Sequence, residues 1–315
     1  MGRIGAAIIG GLAAGWLAGS ALAQPPRPAS EPLVLAGTTV RVSPHVWVIP
    51  DRSTPLVPNI GIVVGSKAAL VVDTGMGERN GAVALAEARK AAPGRALYLV
   101  TTHVHPEHDL GAGAFPPETR LIRSQAEVAE IAETGLTMAD RFSKMSALNA
   151  ELLKGATYRK ADIVFDQSYD LDLGGVSVRI LAVGPNHTAG DTVAWVAADK
   201  LLFAGDVAMK GPPAFASPKS SLAHWLGALD QLDALKPAIV VPSHGPLGGP
   251  EFIAGYRAYL TAIRERTAAL KAQGKSLDEA VPAVSAELKD RYPDTGRMGG
   301  AIRAAYAEAH YETAR

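Results

Sequence analysis

The chain has 315 residues, 48% apolar and 20% charged, a composition that supports a folded domain with a sizeable core and excludes a disordered chain. Lys plus Arg and Asp plus Glu both number 31, so no basic face is implied for nucleic acid or an anionic membrane. There is no cysteine, which excludes disulfides, thiolate metal sites and cysteine nucleophiles and leaves any metal to His, Asp and Glu.

Residues 1–23 carry one charge, Arg3, then an uncharged run ending in Ala21-Leu22-Ala23, a small-x-small cleavage pattern. This reads as a secretory signal peptide. The competing reading is an uncleaved anchor, against which the Gly- and Ala-rich, weakly apolar run and the cleavage pattern argue. Cleavage places the protein in a periplasm or outside the cell, with no stable membrane insertion. Residues 24–36 are Pro-rich and read as an extended linker. Residues 37–250 are expected to form one domain and 251–315 a helical extension packed on it.

Within the domain, 39–49 alternates as two short strands around Pro44. The runs 59–64 and 68–72 form a hairpin through Gly65-Ser66-Lys67. A helix is expected over 79–93, a buried strand over 96–101, a helix over 124–134 and a separate helical insertion over 137–154, a candidate lid. Strands follow at 176–183, 192–196 and 201–204, then a helix at 221–235, a strand at 238–241 and helices at 251–272, 276–289 and 297–313. The fold class is α/β, and two face-to-face sheets with helices outside account for the order.

Of the eight histidines, three lie in His103-Val104-His105-Pro106-Glu107-His108-Asp109, on a loop after a buried strand. Extended backbone projects His103 and His105 to one side, and Pro106 then turns Glu107 and His108 into a tight loop. Imidazoles and carboxylate this close call for a divalent cation such as zinc, iron or manganese. His187, Asp206 and His244 each follow another expected strand, and strand ends on one rim of a sheet converge.

The segments Val71-Val72-Asp73-Thr74-Gly75, Thr102-His103-Val104-His105-Pro106-Glu107-His108-Asp109, Gly184-Pro185-Asn186-His187-Thr188-Ala189-Gly190-Asp191, Leu201-Leu202-Phe203-Ala204-Gly205-Asp206-Val207 and Val241-Pro242-Ser243-His244-Gly245 resemble, in order and spacing, the motifs of the metallo-β-lactamase superfamily. The resemblance runs from about residue 38 to about residue 247 and is most similar to secreted zinc hydrolases found beside quinoprotein and sulfur-oxidation systems. It implies a four-layer αββα sandwich. It also implies that His103, His105 and His187 form a first metal site, that His108 and His244 belong to a second, that Asp206 bridges them, and that Asp73 supports the histidine loop. Glu107 stands where the family usually has Asp, so its reach to the second metal is open, and Asp109 is the neighbouring alternative. Asp206 and Glu107 are the candidate catalytic carboxylates.

The implied cofactor is Zn2+, two per chain, with iron or manganese as alternatives. The implied reaction is attack of a metal-bound hydroxide on the carbonyl of a small-molecule ester, thioester, lactone or amide, a β-lactam included. Two rival readings are a mononuclear-iron persulfide dioxygenase and a non-catalytic metal-binding accessory of a periplasmic redox system. Nothing in the sequence fixes the oligomeric state. Trp225 is expected in the core, His224 in solvent, and Met76 and Phe215 are candidates for apolar walls.

Overall fold

The apolar runs pair in chain order into two sheets. A computed structural model describes residues 33–210 and 216–308. The expected signal peptide, most of the Pro-rich linker, Phe215 and the end of the last helix with His310 lie outside the described residues. The first sheet runs in the order β1 (Val40–Arg41), β2 (Val46–Ile49), β3 (Ile60–Val64), β4 (Ala68–Val72), β5 (Ala96–Val100), β6 (Arg120–Ser124), β7 (Ile163–Phe165). β1 to β4 form an antiparallel meander, and β4 to β7 are parallel. Parallel neighbours need a crossover, and helix α1 (Gly77–Ala91) supplies the one between β4 and β5.

The second sheet repeats this plan. β8 (Ser168–Asp172), β9 (Ser177–Ala182), β10 (Thr192–Val196) and β11 (Leu201–Gly205) are antiparallel neighbours. β12 (Ile239–Pro242) then runs parallel to β11 after helix α5 (Leu222–Ala234).

Period-two alternation sorts the side chains, because neighbours on a strand face opposite ways. Val46, Val48, Leu70 and Val72 of the first sheet meet Val178, Ile180, Val196 and Phe203 of the second in the inter-sheet core. The alternate residues Ile60, Ile62, Val71 and Leu99 face outward onto Ala84 and Ala88 of α1. Val193, Trp195 and Leu202 face the other way onto Trp225 of α5 and the C-terminal helices α6 (Glu251–Ala272), α7 (Leu277–Leu288) and α8 (Met298–Glu308). The layers are therefore αββα, with the C-terminal helices sharing the outer core of the second sheet. Among the described residues, no helix is long and apolar enough to cross a membrane.

At one point the two sheets approach closely. A Cβ on Gly61 would lie 2.2 Å from Cε1 of the buried Phe203 ring. That ring is buried in the inter-sheet core, so Gly61→Ala is expected to destabilise by about 1–3 kcal/mol, as overpacking does. A lowered urea midpoint at unchanged slope checks this.

Three expectations change. The separate insertion at 137–154 does not exist: helix α3 (Gln125–Ser143) runs through Gly135, and only α4 (Ala147–Leu152) stands apart. Gly135 lies inside this helix, and its missing side chain makes room for the Tyr158 ring, which a Cβ would meet at 3.0 Å. Residues 106–109 are not a loop but one helical turn, α2 (Pro106–Asp109), with proline at its first position. Strands β6, β7 and β8 add to those expected, and β6 was masked by Arg120 and Arg123 in an otherwise strand-like run.

Candidate metal centre

Strand direction places the site. β4 and β5 are parallel, so Asp73 and the 101–109 segment leave the first sheet at the same edge. β9, β11 and β12 share a direction, since β10 is antiparallel to both β9 and β11 and β12 is parallel to β11. His187, Asp206 and His244 follow those three strands. The converging ends thus come from two sheets, not from one rim of a single sheet. Backbone bonds join the sheets there: Thr192 N–H donates to Thr102 O at 2.8 Å and Asn59 N–H to Ser243 O at 2.6 Å.

Three overlapping groups of ligand atoms result, each within 4.8 Å: His103, His105 and His187; His103, His108 and Asp206; and Glu107, His108 and His244. The His103 ring lies 4.7 Å from that of His105, 4.1 Å from His108 and 4.8 Å from His187, centroid to centroid. Asp206 Oδ2 is 3.4 Å from His187 Nε2, and Oδ1 is 3.9 Å from His244 Nε2, so one carboxylate faces both ends of the cluster. All seven expected residues are brought together. Glu107 Oε1 comes within 3.8 Å of His108 Nε2, because the α2 turn compensates for the longer side chain. Asp109 points away and is paired with Arg123, which removes it as a substitute ligand.

The outer ring nitrogens are held from behind. His108 Nδ1 lies 2.8 Å from Asp73 Oδ2 and His244 Nδ1 lies 2.9 Å from Val57 O. His103 Nδ1 lies 3.1 Å from Thr102 Oγ1, whose hydroxyl in turn donates to Asp73 at 3.0 Å. An N–H at each Nδ1 leaves Nε2 with a lone pair toward the cluster. Asp73 sits at φ +66°, a left-handed conformation uncommon for a residue with a side chain, and Thr102 N–H at 2.8 Å helps hold it there.

Two residues that sequence reasoning missed clamp the loops. Glu130 of α3 accepts N–H bonds from Ala189 (3.0 Å) and Gly190 (2.8 Å), fixing the His187 loop. Gly190 permits this contact, since a Cβ there would stand 2.4 Å from Glu127 Cα. Asn59 donates to Pro242 O and Gly245 O, both at 2.9 Å, and so fixes the His244 loop. Neither had a local signal, because the partners lie far apart in sequence.

The electrostatics call for a cation. Burial, and then the crowding of neighbouring imidazoles, holds His103 and His105 well below the usual histidine range. Burial also lowers His108, but Asp73 more than offsets this and raises it to about 9. Burial pushes Glu107 up to about 7. Asp206 falls to about 2, because His244 and His187 outweigh its burial. His103 Nε2, His108 Nε2, Glu107 Oε2 and Asp206 Oδ1 are buried with no hydrogen-bond partner. Unsatisfied buried polar atoms are costly, and a divalent cation satisfies several at once. His187 Nε2 and His105 Nδ1 are 3.1 Å apart, near the roughly 3.3 Å edge of a tetrahedron with about 2.0 Å zinc–nitrogen bonds. The donor set fits zinc.

The cluster opens into a cavity of about 470 Å3 whose lining includes His105, His187, Asp206 and His244. The end of α3 contributes Met138 and Phe142 to its wall. Met76 is instead 1% exposed, packed on Leu110 and Phe142, and Trp225 is buried with its N–H on Val207 O at 2.9 Å. His224 is exposed, as expected.

The sequence pattern of the metallo-beta-lactamase superfamily matches residues 53–244, more than half of the chain. The chain is 24% identical, over 71% of its length, to a linear primary-alkylsulfatase of Pseudomonas sp.. It is 26% identical, over 55% of its length, to an acyl-coenzyme A thioesterase of Homo sapiens. The matches span 49% of the first relative and 66% of the second, so the chain covers half to two thirds of these relatives. Among solved structures, a metallo-beta-lactamase family protein of Thermus thermophilus superposes with TM-score 0.64 at 20% identity, covering 87% of this chain and 95% of that one. With the αββα layers and five motif loops converging on one cluster, the chain belongs to the metallo-beta-lactamase superfamily.

Proposed function

We propose that the protein is an exported metal-dependent hydrolase that holds two zinc ions and cleaves an ester, thioester, lactone or amide. The observation that carries this is the set of three overlapping ligand groups with four unpartnered buried atoms. His103, His105 and His187 would hold one ion, Glu107, His108 and His244 the other, with Asp206 between them. Bound zinc supplies Lewis acidity and lowers the pKa of water toward about 7. In the reaction, water's oxygen joins the carbonyl carbon, the bond to the leaving oxygen, nitrogen or sulfur breaks, and that atom takes the proton. The chain has no cysteine and no G-x-S-x-G elbow, in keeping with a route without a protein nucleophile. The names of the two relatives, a sulfatase and a thioesterase, support hydrolysis. A one-iron oxidoreductase is less well supported, since it leaves the grouping of Glu107, His108 and His244 without a purpose.

Metal content of protein purified from a periplasm without added metal tests the reading. About two zinc ions per chain are expected, and about one iron per chain overturns it. The amino terminus of that protein, read by mass spectrometry, is expected at Gln24; retention of residues 1–23 overturns the cleavage. Glu107→Asp withdraws the carboxylate by one methylene from a cluster shaped for the longer side chain. It is expected to weaken the second zinc about 10–100-fold while the first stays bound, as a competitive chelator titration would resolve.

A further inference from the structure

We infer that a second cavity, beside helix α6, seats the end of the substrate away from the scissile bond, a neutral aromatic group that bears a hydrogen-bond acceptor. That the group belongs to a substrate rests on the hydrolase reading; the cavity stands on its own geometry. It has a volume of about 500 Å3, within the roughly 300–1,000 Å3 of small-molecule sites. Its lining comes from α6, from the segment between α7 and α8, and from Met209 and Lys210 after β11. Phe252, Tyr256 and Tyr259 stand at helical spacing on α6, and Tyr292 meets Tyr259 edge to face, ring centroids 4.9 Å apart at 74°. Three of the chain's eight tyrosines thus gather in one hollow. Aromatic walls hold an aromatic guest through the same offset and edge-to-face contacts. Gly255 keeps the hollow open, because a Cβ there would meet nothing within 4 Å.

Two observations give the guest its polarity. Among the described residues, the buried hydroxyls of Tyr259 and Tyr292 have no hydrogen-bond partner. Burial pushes both phenols above their ordinary range, so each keeps its proton and can donate it to an acceptor. Tyr259 is 3% exposed, and a donor buried that deeply is costly until a guest supplies the acceptor. The charged residues of the wall balance, Lys210 and Arg291 against Glu251 and Asp294. Glu251 accepts the Gly249 N–H at 2.8 Å, Asp294 lies 3.4 Å from Arg297, and the Arg291 guanidinium sits 5.2 Å from the Tyr292 ring centroid. The hollow therefore favours a neutral guest. The metal cavity adjoins it: Met209 and Lys210 line both, and the Asp294–Arg297 pair has one member in each wall. One molecule can span the two, with its scissile bond at the metal cluster and its ring between the tyrosines.

The test uses the full zinc-loaded chain and begins with equilibrium dialysis of two probes, acetonaphthone and ethylnaphthalene, which share a ring system and differ in the carbonyl acceptor. The ketone is expected to bind about 3–10-fold more tightly, the worth of a neutral hydrogen bond. The double variant Y259F/Y292F keeps the rings and removes the hydroxyls, and is expected to bind both probes within about twofold of each other. Gly255→Trp places a ring in the hollow at a site where tryptophan suits a helix better than glycine, and is expected to weaken both probes at least about tenfold. Binding that Gly255→Trp leaves intact, or a ketone preference that survives Y259F/Y292F, overturns the cavity. The second arm is a series of para-nitrophenyl esters of benzoyl-tipped fatty acids with increasing numbers of methylenes, each against the plain fatty acid ester of equal length. At the length that spans the two cavities, kcat/KM is expected to be about 10–100-fold higher for the benzoyl ester, the effect of burying a phenyl ring, and Gly255→Trp is expected to erase that ratio. Plain esters cleaved with no benzoyl advantage at any length overturn the link to the substrate. If no ester is cleaved, the fault lies with the hydrolase reading, and the dialysis alone decides the cavity.

Discussion

His103→Ala is expected to strip both metals from the chain and to lower hydrolysis by about 10³-fold or more, since metal ions contribute several kcal/mol of transition-state stabilisation. His103 is shared by two of the three ligand groups, so its loss reaches beyond one ion. It is fully buried, with Nε2 unpartnered and Nδ1 held by Thr102, so no neighbouring side chain substitutes for it. Two measurements separate loss of metal from loss of fold. Zinc content by mass spectrometry should fall from about two per chain to near zero. In the parent, a chelator should lower the melting temperature, because a ligand present at 1,000 times its Kd stabilises by about 4 kcal/mol. The variant should melt at the same temperature with and without the chelator. Retention of two zinc ions, or a chelator effect as large as the parent's, would remove His103 from the centre.

Much of this centre was legible because short apolar runs that form strands lie just ahead of several of its residues. Val71-Val72 before Asp73, Leu201 to Ala204 before Asp206 and Val240-Val241 before His244 all form strands, and strand direction then carries their ends to one edge. Glu107 was the open point, since reach depends on a backbone turn that one residue type does not specify. The helical turn at Pro106–Asp109 brings Glu107 into one group with His108 and His244. What stayed hidden depends on partners distant in the chain. Glu130 meets Ala189 across 59 positions and Asn59 meets Pro242 across 183. Strand β6 was concealed for the same reason. Arg123 reads as a surface residue until its partners Asp109, Thr101 and Glu127 are known.

Arg123→Met is expected to destabilise the fold by about 3–5 kcal/mol, the usual consequence of removing one partner from a buried ionic group. The Arg123 side chain is 1% exposed and donates to Asp109 Oδ1 at 3.0 Å, Glu127 Oε1 at 2.7 Å, Thr101 Oγ1 at 2.8 Å and Arg159 O at 3.2 Å. It thus ties the turn that bears Glu107 and His108 to helix α3 and the end of β5. Its removal leaves two buried carboxylates facing each other with no counter-charge. Burial already holds Glu127 above its ordinary 4.5, with Arg123 pulling it back, so loss of the arginine raises it further. A carboxyl whose folded pKa is raised stabilises fully below its unfolded value and loses that contribution as pH rises through the folded one. With the parent's Glu127 carboxyl pushed up to about 8 and the variant's higher still, its share of the Arg123→Met deficit should open only as pH rises past about 8 and vanish toward about pH 5, as urea midpoints from about pH 5 to about pH 10 would show. Replacing all three members with apolar residues, in Asp109→Leu, Arg123→Met and Glu127→Met together, should recover most of the loss, because the charge is then no longer buried unpaired. If the triple variant is as unstable as Arg123→Met alone, packing rather than charge governs the site, and the pH trend should then be flat.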